Sequence, residues 1–338
     1  MNFINILNHI LRPLEWVVAQ LLTLFHHALV TFGMTAGPSP AWGIAIMCLV
    51  LVIRICLLPL FLSQMRAMQR IQVLQPQIQR IQHKYAARKD PRSKEAMQRE
   101  IMALQQRYNA NPLGSCLPSL IQAPILCSLF YTLQSLPAIA DGNAEPLGGI
   151  DHTMAGDIES SSIFGVRIAD SFGTVASPQS RIIIGVAVAL MCLTLFAIQW
   201  MLIHRNTSKD AMVSSQFRVQ KMTVFVFPAI YVVSGATLPF GVLLYWLTNN
   251  LWNLGQTLCQ LRWFPTPGSA AGERKARRDY EQDNRRRAAA GLPSLEEERA
   301  MAAREEAKAR REREKSAASR NRKQHKTPHL AKRSIVKR

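Results

Sequence analysis

No aspartate or glutamate falls inside any of the long apolar runs of this 338-residue chain. That absence removes the intramembrane salt bridge and the paired-aspartate intramembrane protease from consideration. The six cysteines, Cys48, Cys56, Cys116, Cys127, Cys192 and Cys259, include no CxxC and no Cys/His spacing of the kind that holds zinc. They lie in or beside apolar blocks and read as small buried hydrophobes, so neither a disulfide framework nor a metal site is expected. His26 and His27 are adjacent, which points their rings to different helix faces. There is no Walker loop, no GxGxxG and no HExxH. No nucleophile–base pairing is visible within the runs either. Neither catalytic residues nor a cofactor is expected, and a non-enzymatic protein is.

Acidic residues are also scarce overall: 22 Asp+Glu stand against 41 Lys+Arg, for a net charge of +19. The average hides two materials joined end to end. Residues 265–338 hold 22 Lys/Arg and 11 Asp/Glu with few large apolar side chains, so they should be solvated and bury no core. The preceding residues carry their apolar side chains in long blocks, which excludes a soluble enzyme with a water-facing surface.

About 20 apolar residues are needed to cross a hydrocarbon core of ~30 Å. Runs at 41–62, 113–137 and 182–204 meet that test. Residues 222–235 and 239–261 read as a tight hairpin of two further spans. The expected fold is an all-α membrane protein with five transmembrane helices. An N-terminal segment, 1–40, precedes them. Within it Pro13–Phe32 mixes Glu15, Gln20, His26 and His27 with Trp16, Leu21, Leu24 and Leu29, which suits an interfacial amphipathic helix. A sixth span is the alternative. The region before it has only Arg12 and no clean small-x-small site follows, so a cleavable signal is not expected.

Loop charges set the expected orientation. Loop 63–112 has ten Lys/Arg and loop 205–221 has four, whereas residues 137–180 have only Arg167 against six acids. The basic loops and the tail, 265–338, are therefore expected inside, and loop 138–181 outside. Loop 63–112 carries Met65, Met68, Ile71, Leu74, Ile78, Ile81 and Tyr85 at helical spacing, then Met97, Ile101, Leu104 and Tyr108 after a break at Asp90-Pro91. This pattern predicts two amphipathic helices folded into a cytoplasmic hairpin, with Pro76 disturbing the first arm. The stripe could be the hairpin seam, a membrane contact or a partner surface. The tail predicts transient helix over about 295–317 and an almost purely basic end. No aromatic interleaves with that end, so sequence-specific nucleic-acid reading is not indicated, though non-specific attraction to phosphates or anionic lipids is.

Polarity in the wrong place is the most informative feature. Arg54 lies deep in the run 41–62, where an arginine costs roughly 3 kcal/mol on insertion scales. With no acid in any run, water or a neutral partner is its expected company. In the last run Trp246, Asn249, Asn250, Asn253, Gln256 and Gln260 recur at helical spacing. In the second run Ser115, Ser119 and Gln122 follow i, i+4, i+7, and the third carries Gln199 near its inner end. These groups suit either interhelical hydrogen bonding or a hydrated cavity open to the inner side. The outer half, with Ile44, Leu133, Val186 and Leu243, has little polarity, which disfavours a through-pore.

Three stretches together resemble the YidC family of membrane protein insertases, over about residues 13–263. One is Val52-Ile53-Arg54-Ile55-Cys56-Leu57-Leu58-Pro59-Leu60. The second is Leu74-Gln75-Pro76-Gln77-Ile78-Gln79-Arg80-Ile81-Gln82-His83-Lys84-Tyr85, with Asn111-Pro112-Leu113-Gly114-Ser115-Cys116-Leu117-Pro118 beyond it. The third runs Leu238-Pro239-Phe240-Gly241-Val242-Leu243-Leu244-Tyr245-Trp246-Leu247-Thr248-Asn249-Asn250-Leu251-Trp252. The resemblance implies a bacterial cell-membrane protein with a five-helix core and a positively charged groove, open to the cytoplasm and to lipid and closed outside. Arg54 matches the family's groove arginine, Gln199 a groove glutamine and Trp246 the tryptophan of the last span. The implied function is insertion and folding of nascent membrane proteins, with the ribosome, a targeting receptor and the secretion channel as partners. The large periplasmic domain of some members is missing. Two other classes stay open: a membrane-tethered ribosome or RNA anchor acting through its tail, and a small-solute transporter. The latter would call for inverted repeats or broken helices in matching positions, which the sequence does not display.

Overall fold

A computed structural model describes residues 3–87, 90–108, 110, 117–209, 211–213 and 215–324. The described residues form twelve α-helices and one two-stranded hairpin, so the all-α expectation stands. Two compact units result, residues 1–273 and 274–338.

In the first unit α1 (Phe3–Thr31) leads to α2 (Pro40–Cys56), whose N-cap is Ser39. The run 41–62 is not one straight span. α2 stops at Cys56, and α3 (Leu58–Val73) departs at 53°. Pro59 explains the break: it lacks the N–H that would pair with the Ile55 carbonyl, and its ring crowds that carbonyl. Pro76 acts similarly. It opens α4 (Gln75–Tyr85) rather than sitting inside a continuous arm. Asp90 caps α5 (Pro91–Arg107) by accepting from the Ser93 amide at 2.8 Å. α4 and α5 pack as a hairpin whose seam is Leu74, Ile78 and Ala110 with Ile71, Ile101 and Leu104. Those seam residues account for much of the apolar stripe. Met68, Met102 and Tyr108 remain exposed.

The bundle proper adds α6 (Leu117–Ala140), α8 (Pro178–Asn206), α9 (Ser215–Thr237) and α10 (Phe240–Trp263). α10 packs on α2 and α8, while α1 packs on α2 and α6. One core gathers Trp42, Ile46, Leu49, Leu129, Leu133, Val242 and Tyr245; a second gathers Ile184, Met191, Phe240, Leu243 and Leu244. Trp246 touches both cores. Outward, α9 presents Met222, Phe225, Val226, Ile230 and Val233, and α8 presents Ile182, Val186, Leu193 and Trp200. Apolar surface on that scale suits lipid rather than water.

Stretches in α1 (Leu11–Thr31), α6, α8 and α9 are long and apolar enough to cross a membrane, and the bent α2–α3 pair makes five. α10 is not among them. Its second half is diluted by Asn249, Asn250, Asn253, Gln256 and Gln260, and its first half, Phe240 to Tyr245, is instead buried inside the protein.

Residues 141–177 form a folded cap on the ends of α2 and α10. The cap contains α7 (His152–Ser160), which packs on α6, and the hairpin β1 (Ser162–Ile163) and β2 (Val166–Arg167). The two-residue turn Phe164-Gly165 has both residues at positive φ, 55° and 80°, the geometry a tight antiparallel hairpin requires. The cap satisfies the orphan amides of α10, which has no side-chain N-cap. Phe240 N–H donates to the Asp170 carbonyl at 2.7 Å and Gly241 N–H to that of Ile168 at 2.9 Å. Gly241 is needed for this approach, because a Cβ there would come within 2.7 Å of Ile168. Ser39 N–H donates to Ser161 Oγ at 2.9 Å, tying the cap to α2 as well. α1 meets the same end: Gly148 and Gly149 of the cap lie against Ala19, Gln20 and Thr23, and His26 stacks on Trp42 with centroids 3.8 Å apart.

The second unit consists of most of α11 (Ala270–Ala289) and α12 (Leu295–Gln324). Helix therefore extends well past the stretch that the sequence suggests. Ser294 and Glu297 form a reciprocal capping box, at 2.9 and 3.2 Å. Arg287 bonds the Pro293 carbonyl and pairs with Glu298 across the turn. Charged residues surround α12, and pairs such as Arg310–Glu314 lie on its surface.

Candidate functional site

Arg54 occupies the last turn of α2, next to the break, and is half-buried. Its side chain crosses to α10. Nε donates to Asn249 Oδ1 at 2.8 Å, and Nη2 donates to the same oxygen. One neutral amide thus takes both bonds. The guanidinium fork has further N–H groups beyond those. Among the described residues no carboxylate pairs with it.

Tyr245 sits one turn before Asn249 on the same face of α10. It is 1% exposed and lies within electrostatic reach of Arg54. Its hydroxyl accepts a hydrogen bond from Gln122 Nε2 of α6. Gln122 Oε1 is buried and has no partner among the described residues. α2, α6 and α10 therefore join through Arg54, Asn249, Tyr245 and Gln122, a positive charge in a setting of neutral dipoles. Tyr245 is the member that the candidate set lacks. The signal was available: it lies four residues before Asn249, the helical repeat.

The remaining candidates do not all converge there. Successive helix residues point ~100° apart, and Asn250 turns away from Asn249 toward α9. It is 2% exposed, and its Oδ1 accepts from the Tyr231 hydroxyl at 3.4 Å. Its Nδ2 has no partner among the described residues. Trp246 shares that side and stacks on Tyr231 with centroids 5.0 Å apart. Asn253 and Gln199 are half-buried. Neither side chain bonds to Arg54 among the described residues. Ser115 lies outside the described residues, and so does the side chain of Ser119.

No group of three or more metal-ligating side chains occurs among the described residues. The five described cysteines are free.

The class these features define is a multi-pass helical membrane protein whose bundle holds an arginine against an amide. The comparisons with known proteins narrow the class. A family model described as "60Kd inner membrane protein" matches residues 34–266. A "Membrane protein insertase YidC" of Bifidobacterium longum (strain NCC 2705) is 44% identical over 306 residues, covering 90% of each chain. The protein of that name from Streptomyces avermitilis is 35% identical over 277 residues, 79% of this chain and 61% of the relative. That of Tropheryma whipplei (strain Twist) is 31% identical over 284 residues, 81% of this chain and 90% of the relative. The chain belongs to the YidC family, and is a multi-pass bacterial membrane protein.

Proposed function

We propose that this protein is a membrane protein insertase that works without covalent chemistry. It accepts nascent membrane proteins in a hydrated, positively charged groove and assists their insertion and folding, alone or with the secretion channel. The observation that carries the reading is Arg54, held within the bundle by the neutral Asn249.

The physics is that of lowering a barrier. A polar or acidic segment entering hydrocarbon loses its hydration, at several kcal/mol per unsatisfied group. A groove with an uncompensated cation and water receives such a segment part-way across, so less apolar thickness remains to be crossed. The client's apolar segment then moves from the protein's exposed apolar helices into lipid. The groove opens toward the basic loops, which in this reading face the cytoplasm, and the cap over residues 141–177 closes the outer end. The hairpin α4–α5 and the basic tail would then lie where a ribosome, a targeting receptor, a secretion channel and anionic lipid headgroups are met.

The test is insertion of a single-span client with an acidic translocated end into vesicles holding wild type, Arg54→Ala or Arg54→Lys at equal abundance. Loss with Ala and recovery with Lys is the expected result. Insertion by the Ala variant at the wild-type rate would remove charge attraction as the mechanism.

A further inference from the structure

The acceptor that holds Arg54 is an amide, where a carboxylate would bind an arginine more strongly. We propose that Asn249 is a neutral clamp: it fixes the guanidinium in place while leaving its positive charge uncompensated, and so sets the preference for acidic translocated segments. This inference rests on the insertase reading and assigns a role within it.

The geometry supports the assignment in three ways. First, Nε and Nη2 converge on one oxygen, which fixes the plane and direction of the fork and keeps its other N–H groups available to a client. A flexible arginine would otherwise lose rotamer freedom each time a client bound. Second, the surrounding groups extend the same rule. Tyr245, within electrostatic reach of Arg54, and Gln122, which bonds to its hydroxyl, are both neutral. Third, the runs at 41–62, 113–137, 182–204, 222–235 and 239–261 hold no Asp or Glu, although the chain has 22 acidic residues. Neutral partners let the full charge act at a distance. An Arg–carboxylate pair would act only as a dipole, whose field falls off faster and is screened by water.

Asn249→Asp separates the clamp from a merely structural bond, because it keeps the acceptor and its position but cancels the charge. Full-length variants in vesicles would be given two clients that differ only in an acidic or a neutral translocated end. With Asn249→Asp, insertion of the acidic client should fall roughly tenfold, the scale of one lost, partly screened charge attraction. Insertion of the neutral client should change less than about twofold. With Asn249→Ala the charge remains but is no longer aimed, so the acidic client should lose only about two- to threefold. Three results would overturn the clamp. If Asn249→Asp matches wild type on the acidic client while Arg54→Ala abolishes its insertion, the clamp is wrong and the groove reading stands. If Asn249→Asp impairs both clients equally, Asn249 makes a structural bond and no clamp. Wild-type insertion of the acidic client by Arg54→Ala would defeat the groove reading and the clamp together.

Discussion

Asn249 and Asn250 are neighbours in sequence and opposites in setting. Asn249 is half-buried, faces α2 and satisfies a cation. Asn250 is 2% exposed, faces α9 and, among the described residues, bonds the Tyr231 hydroxyl and leaves its Nδ2 without a partner. The lesson is that polarity in a membrane helix has two meanings. On one side of α10 it serves an arginine, and on the other it joins helices, as interhelical amides do. A hydropathy profile sees one polar helix.

Placing the same charge at the two positions breaks the comparison most sharply. Asn250→Asp puts a carboxylate where no cation among the described residues pairs with it, and an uncompensated buried charge costs about 3–5 kcal/mol. The expected result is a protein that unfolds far earlier on heating in detergent, or accumulates poorly. Asn249→Asp meets Arg54 instead, and its unfolding midpoint should stay at or above that of wild type. Equal destabilisation by the two substitutions would mean that the two faces do not differ as described.

Tyr245→Phe comes next. It strips Gln122 of its phenolic acceptor inside the bundle, and a buried polar group left without a partner costs about 1–3 kcal/mol. Its thermal midpoint should fall measurably. Tyr231→Phe should cost less, about 0.5–1 kcal/mol, because the bond it removes is long at 3.4 Å. A reversed ranking would make the Asn250 side, rather than the Arg54 side, the more demanding one.

The helical architecture is legible in the sequence because membrane spans announce themselves by length and apolarity. Arg54 stands out as well, since a lone charge in such a run is costly. Other features could have been drawn from local rules: the divergence of Asn249 from Asn250 by the helical angle, Tyr245 by the four-residue repeat, and the break after Cys56 from Pro59. The cap over residues 141–177 is a different case. Its buried side chains, Ile150, Ile158, Val166 and Ile168, are spread over separate short stretches and form no long apolar run. They are core only because α2, α6 and α10 end there, which is tertiary information. The hydrogen bond from Tyr231 to Asn250 spans two helices and is equally invisible to a pattern.

The smallest effect lies outside the bundle, and it contrasts Arg54 with a cation that does have a carboxylate. On the hairpin, Lys84 Nζ pairs with Glu100 at 2.9 Å, and both groups are solvated. The hydrogen bond from Lys84 holds the Glu100 carboxyl below its ordinary range, and the same bond holds the Lys84 ammonium above its own. A depressed carboxyl favours the folded hairpin above its unfolded pKa, and that contribution fades as pH falls through the lowered value. A raised ammonium favours it below its unfolded pKa, and that contribution fades as pH rises through the raised value. The pair therefore acts across the neutral range and weakens only at either extreme. Solvent and salt screen such exposed pairs, many of which contribute nothing measurable. Glu100→Gln should thus leave the unfolding midpoint and the insertion of the acidic client at pH 7 unchanged within error, while Arg54→Ala abolishes that insertion. A clear insertion defect in Glu100→Gln would show that the hairpin's own charges, and not only the cation in the bundle, act on the client.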